Sequence, residues 1–386
     1  MSEPYIGDSA IAEYCDTQIK PAYVEAGRTP DAQYPIWSGR AVYDHAVGAL
    51  SWPASCAKHL RECRDALGLT PPVPPPVLTL PRLRVNGHVF EMETGQPFTV
   101  IQCSDFNLLN RWQHGENIRP ILEQRAGCRF NMLRVWTHYD LAAANIGMFL
   151  DIDYARVGPF LRLCASYGFY VELTAYTSTE RPSHWDQLVE AAQPETNALV
   201  ELVNEGTLPV NQIDMSRYAR PTGVLASHGS GGAEGVPPWE PWDYITYHTN
   251  GASEEQRKIG HNAMEKVANV SHAPALTNET SRFPEVGMWV GADHGRRRAL
   301  AFDSAAGAAL LCAGSCFHSV QGKTSVLFDA DTADVAEAWT LGARSVPLAC
   351  QHENYTRRDD LLLLHPDLLR VYQRGSTESG IVRIRK

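Results

Sequence analysis

The chain has 386 residues, 44% hydrophobic and 20% charged, the composition of a globular protein with ample material for a core. A formal net charge of −10, with Arg296-Arg297-Arg298 as the densest basic run, excludes a general nucleic-acid binder. No stretch of about eighteen apolar residues runs without charges, so no membrane-spanning helix is expected.

The first residues, Met1-Ser-Glu-Pro-Tyr-Ile-Gly-Asp8, have neither a basic nor an apolar signal region. No secretory signal is read there, and a cytoplasmic or virion-associated location is the expectation. The cysteines number nine, an odd count, and most sit inside apolar runs, as at Cys128, Cys164 and Cys312. Buried free thiols in a reducing compartment fit that pattern. Residues 11–22 and 41–69 repeat apolar side chains at helical spacing. Thr70-Pro-Pro-Val-Pro-Pro-Pro-Val77 follows as a stiff spacer. Residues 1–75 are therefore read as a helical appendage suited to docking on a partner, 76–345 as the main body, and 346–386 as a small extension packing on it.

Within the main body, Asn86-Gly87 between alternating apolar residues predicts a hairpin over 83–98, a plug for the bottom of a barrel. From there strands and helices alternate. Strands are predicted at 98–103, 130–136, 169–175, 198–205, 223–227, 244–247, 275–278 and 315–319. Helices are predicted at 117–126, 154–167, 183–192, 211–218, 253–269, 296–313 and 333–343. Gly168 is read as a helix C-cap. Eight such units over about 250 residues make a (β/α)8 barrel. The doubly wound alternative normally carries a glycine-rich first turn, and Ser104-Asp105-Phe106-Asn107 is not one.

The strand ends collect the polar and aromatic residues, whereas the strand bodies are apolar. Asp105, Arg134, Trp136, His138, Tyr176, Asn204, Glu205, Tyr247, His248, Asn278, Glu279 and His318 all fall on one rim of such a barrel, where barrel enzymes keep their chemistry. Ala198-Leu-Val-Glu-Leu-Val-Asn-Glu205 is a buried parallel strand ending in a carboxylate, and Pro274-Ala-Leu-Thr-Asn-Glu279 ends the same way. Two glutamates across a barrel mouth suit glycosidic bond cleavage: one must be protonated, the other ionised. Arg134 beside Glu279 is expected to keep that carboxylate charged, a more enclosed Glu205 to stay protonated. Tyr247 is expected to hydrogen-bond the nucleophile, Asn204 to hold a sugar hydroxyl, and Trp239 in its Gly/Pro-rich loop to stack on a sugar ring.

These residues resemble the clan A glycoside hydrolases, retaining TIM-barrel enzymes that include cellulases and mannanases. Leu-Val-Asn-Glu205 on strand four, Leu-Thr-Asn-Glu279 on strand seven and Leu-Arg134-Val-Trp136 on strand two carry the resemblance, over about residues 83–345. It implies that Glu205 is the general acid/base, Glu279 the nucleophile, Arg134 the strand-two arginine and Tyr247 the strand-six tyrosine. Clan members often carry a tryptophan on strand eight, where this chain has Phe317-His318. The substrate implied is an oligo- or polysaccharide, and no cofactor is called for. Metal is not expected either, because His138, His228, His248 and His318 form no HxH or HExxH pattern.

Each glutamate alone also suits the first turn of a helix, where a carboxylate favours the helix dipole. Ser227-His-Gly-Ser-Gly-Gly232 fits neither a nucleophile elbow nor a phosphate loop. Glu172, inside strand three, is read as half of a buried structural pair. The alternative function is a non-catalytic carbohydrate-binding barrel within a larger assembly, such as a phage virion or surface complex.

Overall fold

The computed structural model describes residues 79–137, 152–177, 182–206, 208, 211–230, 241–249, 273–311 and 313–346, with a few positions before residue 64. The chain divides into two compact units, Met1–Pro76 with Arg111–Asn117, and Val77–Asn110 with Ile118–Lys386. In the first, His59 is buried and its Nδ1 lies 2.6 Å from Glu62 Oε2, one helical turn away. The predicted helices at 11–22 and 41–69 otherwise lie outside the described residues, as do the helix at 253–269 and the tail beyond 346.

The second unit is a parallel barrel. A small antiparallel sheet comes first, from β1 (Leu83–Asn86), β2 (Val89–Met92) and β3 (Pro97–Phe98). Eight barrel strands follow: β4 (Val100–Ser104), β5 (Met132–Trp136), β6 (Tyr170–Tyr176), β7 (Ala198–Val203), β8 (Leu225–Gly229), β9 (Ile245–Thr249), β10 (Ala275–Thr280) and β11 (Gly314–Phe317). Their spatial order is β8-β7-β6-β5-β4-β11-β10-β9, every ladder being parallel. All seven residues of β6 and all six of β7 are buried, as expected of strands covered on both faces. The helices between them are α1 (Leu108–Gln113), α2 (Arg119–Gly127), α3 (Val157–Ser166), α4 (Pro182–Ala192), α5 (His294–Leu311), α6 (Val320–Thr324) and α7 (Ala330–Arg344). The helix expected at 211–218 is reduced to one 3₁₀ turn, Met215–Arg217, and α1 and α6 are short turns that no periodicity announces. Among the described residues, no helix is long and apolar enough to cross a membrane.

The hairpin closes the lower end. Leu83, Phe90 and Phe98 form one buried cluster with Val100, Met132, Tyr170, Leu199 and Leu276, which lie at the starts of barrel strands. At the opposite end the strands deliver the polar residues. Glycine permits close approach at two ladders: a Cβ on Gly229 would meet Val203 O at 1.8 Å, and one on Gly314 would meet Val100 O at 2.1 Å.

β8 and β9, the two ends of the strand order, share no ladder; Asp243, two residues before β9, bridges to β8 with both its main chain and its side chain. Asp243 N donates to Ala226 O at 3.0 Å, and its Oδ2 accepts from Ala226 N at 2.9 Å. Asp243 Oδ1 pairs with Arg220. An Asp243→Ala variant therefore leaves the fully buried Ala226 N–H without an acceptor. We expect it to lose about 1–3 kcal/mol in denaturant melts, whereas Asp243→Asn keeps an acceptor and loses less than about 1 kcal/mol with the exposed Arg220 pair.

Candidate active site

Arg134, in the middle of β5, is completely buried and points into the barrel. Its guanidinium collects acceptors from β10 and from β7 with the residue that follows it. Nη1 donates to Glu279 Oε2 at 2.8 Å; Nη2 donates to Glu201 Oε2 and to Asn204 Oδ1, each at 2.7 Å. Nε donates to Glu201 Oε2 at 3.2 Å and lies 3.8 Å from Glu172 Oε2. Three carboxylates thus surround one cation that water cannot reach.

The deeper two have their own partners. Glu201 accepts from Thr174 Oγ1 at 2.7 Å, Thr246 Oγ1 at 2.7 Å and Asn278 Nδ2 at 2.7 Å. Burial opposes its charge, but Arg134 and these donors win, and Glu201 is held below the usual carboxylate range. Glu172 accepts from Gln102 Nε2 and Tyr244 Oη, both at 2.9 Å, further down the barrel. Burial and the adjacent Glu201 outweigh Arg134 there and push Glu172 up to about 7. The ordinary value is 4.5, so the stabilising contribution of Glu172 is complete below 4.5 and lost as pH rises through about 7. Glu172→Gln should remove that loss, making stability flatter between pH 5 and pH 8 in denaturant melts. A slope equal to that of the unsubstituted protein would refute this.

Glu279 stands above Arg134, on a β-bulge. The β9–β10 register shifts between Thr277 and Glu279, so the adjacent residues Asn278 and Glu279 both face inward. His248 Nε2 lies 3.8 Å from Glu279 Oε2, and His318 Nε2 lies 3.8 Å from Glu279 Oε1. Burial alone would raise Glu279; His248, His318 and Arg134 reverse the sign and hold it down to about 2. Burial holds His318 down to about 4, so its imidazole is neutral near pH 7. Its Nδ1 is 2.8 Å from Ser104 Oγ, and its ring stacks on Phe106, which stacks in turn on Trp136 at 4.0 Å.

Glu205 enters from the end of β7 by a second local irregularity. Successive strand residues face opposite ways, yet Asn204 and Glu205 both reach the mouth. The chain achieves this by placing Glu205 at φ +54, a left-handed conformation that costs about 1–2 kcal/mol for a side-chain-bearing residue. Ser230 Oγ accepts from Glu205 N at 2.8 Å, and Asn204 N donates to Tyr176 O at 2.8 Å, holding the turn. Glu205 Oε1 then lies 3.3 Å from His248 Nδ1. One imidazole therefore reaches both mouth glutamates, whose side chains keep 22% and 15% of their surface open to solvent.

Of the residues anticipated on the rim, the barrel brings together Arg134, Asn204, Glu205, His248, Glu279 and His318, with Trp136 stacked behind. Tyr247 is not at the place expected. Thr246 and His248 face the interior, so alternation puts Tyr247 on the opposite side of β9, and His248 occupies the position beside Glu279. Asp105 is likewise drawn away from the rim. Both of its oxygens accept from Arg125 of α2, at 2.9 and 3.0 Å, in a fully buried bidentate pair. Tyr176 is buried at the side of the mouth, where its ring meets those of His184 and Tyr218 and its hydroxyl accepts from Trp185 N at 3.3 Å. His138 and Trp239 lie outside the described residues. Sequence reasoning missed Glu201 as an Arg134 partner, although a lone glutamate in Ala-Leu-Val-Glu-Leu-Val already requires a buried cation or donors.

No family model matches the chain, and no curated protein does. Among solved structures, it is similar to a glycoside hydrolase at 13% identity and a TM-score of 0.49, over 65% of this chain and 68% of that one. It is similar to a glycoside hydrolase family 5 protein from Bacteroides vulgatus at 12% identity and a TM-score of 0.49, over 64% of each. A third is an exo-β-1,4-mannosidase from an Opitutaceae bacterium, at 13% identity and a TM-score of 0.47, over 70% of this chain and 63% of that one. Identities this low speak to fold alone, and the fold is already given by the strand ladders. The barrel rests on this chain's own strand order, and the chemistry of its mouth on its own residues.

Proposed function

We propose that the chain is a glycoside hydrolase acting on an oligo- or polysaccharide by a retaining double displacement. The observation that carries this is the unequal environment of two mouth carboxylates. Glu279 is held ionised by Arg134 at 2.8 Å, and Glu205 stands across one imidazole without any arginine on it among the described residues. This difference in partners supports reading Glu279 as the nucleophile and Glu205 as the acid. In the first step, a Glu279 oxygen attacks the anomeric carbon while Glu205 gives its proton to the departing oxygen, which keeps the bond's electron pair. In the second, Glu205 takes a proton from water, the water oxygen attacks the same carbon, and Glu279 leaves. Asn204 gives Oδ1 to Arg134, which frees its amide N–H groups for a sugar hydroxyl. The scheme uses no cofactor.

A screen of aryl β-glycosides and polysaccharides, run with the full chain and with Glu205→Gln and Glu279→Gln, tests the reading. Activity in the unsubstituted chain and its loss in both variants is expected. Binding without hydrolysis of any glycan would return the chain to the carbohydrate-binding alternative.

A further inference from the structure

At the end of the barrel opposite the mouth lies a groove of about 860 Å³. One wall is Arg82 with the first residues of β1; the other is the segment from Arg220 to Leu225 that leads into β8. β1 is an edge strand, because it pairs with β2 alone. The ladder tells which of its main-chain groups are free. Glu93 N donates to Arg82 O at 2.7 Å, whereas Met92 N, on the residue opposite Leu83, turns away to Gln96 O at 2.7 Å. Bonded and non-bonded pairs alternate along an antiparallel ladder. Arg82 and Arg84 therefore use their main-chain groups on the β2 side, while Leu83 and Val85 aim theirs outward at the groove. No described residue bonds to the main chain of Leu83 or Val85.

We propose that this edge accepts one extended peptide strand in which acidic residues alternate with apolar ones. The inference is independent of the hydrolase reading. On an added strand, each side chain shares a face with the β1 side chain opposite it. Residues opposite Leu83 and Val85 then lie on the apolar face, where Leu225 packs against the same cluster. The residue opposite Arg84 lies on the outer face beside its guanidinium. Arg84 Nη2 is 2.9 Å from Glu91 Oε2, yet the side chain stays 56% exposed, open to a second carboxylate. Arg82 has carbonyls as its acceptors, Gly223 O at 2.5 Å and Gln193 O at 3.1 Å. Arg220 adds a third cation on the far wall, where it pairs with Asp243. Three arginines and one acid thus line a groove in a chain whose net charge is −10. That local excess of positive charge selects an acidic partner. A second copy of this chain fits poorly, because β1 laid on β1 brings arginine to arginine. A single small anion fits poorly too, because it fills little of the groove and leaves the main-chain groups of Leu83 and Val85 unmet. In strand addition those groups give the affinity, and the alternating side chains give the specificity.

Two measurements on the full chain test this. The first is fluorescence anisotropy with a labelled peptide, Thr-Val-Glu-Val-Asp-Val-Thr, and its counterpart carrying lysine for both acids. The acidic peptide should bind roughly 10-fold tighter or more, with a preference that shrinks as salt is added. Arg84→Gln should weaken its binding roughly 3- to 10-fold. Val85→Pro leaves every arginine in place and removes one outward N–H, and should weaken binding roughly 10-fold or more. The second measurement is amide hydrogen exchange on the unsubstituted chain, which decides even where Val85→Pro fails to fold. A saturating amount of the acidic peptide should slow exchange in the fragment spanning residues 83–86, whereas succinate or inorganic phosphate should leave that fragment unchanged. Equal binding of the two peptides, or binding of neither, overturns the proposal. Acidic-peptide binding that succinate displaces, with residues 83–86 left unprotected, also overturns it and makes the groove an anion site.

Discussion

Glu279→Ala is expected to lower hydrolysis of activated aryl glycosides roughly 10⁵-fold, about 7 kcal/mol of transition-state stabilisation. The loss should be partly reversible by small anions. Azide or formate entering the space of the missing carboxylate meets the anomeric carbon from the Glu279 side, giving a product of inverted configuration. Glu205→Ala should respond differently. There Glu279 still forms the glycosyl-enzyme with a good leaving group, and azide then enters from the opposite side to give a product of retained configuration. Product anomers, read by NMR, therefore assign the two roles separately. Swapped products would exchange them, and rescue of neither variant would remove the double displacement. Arg134 is the physical basis for the asymmetry: only Glu279, of the two, touches a cation that stays charged at every pH of interest.

The eight-unit barrel was legible because parallel strands buried on both faces read as continuous apolar runs, and because their ends switch abruptly to polar residues. Ala198–Val203, which runs into Asn204-Glu205, is the clearest case. What the residue order did not carry was the local irregularity at each end. A one-residue slip turns every side chain to the other face. The bulge at Asn278 and the left-handed turn at Glu205 are two such slips, and each brings two neighbouring residues into the mouth at once. The same parity places His248 and not Tyr247 beside Glu279. Asp105 shows the other limit. Its partner Arg125 lies twenty positions away on α2, and nothing in Ser104-Asp105-Phe106-Asn107 tells whether the carboxylate faces the mouth or the helix layer. The β8–β9 seam was equally silent, since it depends on Asp243 replacing a ladder.

Arg134→Met should cost about 3–5 kcal/mol of stability, because it removes the cation and leaves Glu172, Glu201 and Glu279 buried around an apolar side chain. That is a large share of the roughly 5–15 kcal/mol that holds a domain together. The cost should depend on pH with a definite sign. In the unsubstituted chain, Glu279 has a folded-state value of about 2 against an ordinary 4.5. Its contribution, about 3 kcal/mol, is complete above 4.5 and fades as pH falls through about 2. Without Arg134, burial and mutual repulsion raise the carboxylates instead, so their contribution is complete below the ordinary value and is lost as pH rises. Denaturant melts of Arg134→Met should therefore show a smaller deficit at pH 4.5 than at pH 7.5. Adding Glu201→Gln removes one of the stranded charges and should return about 1–3 kcal/mol at pH 7.5 while changing little at pH 4.5. Arg134→Lys should recover only part of the loss, because a single ammonium cannot span acceptors on β7 and β10 that the flat guanidinium reaches together. A deficit that is the same at both pH values and unaffected by Glu201→Gln would mean that Arg134 contributes packing and not charge.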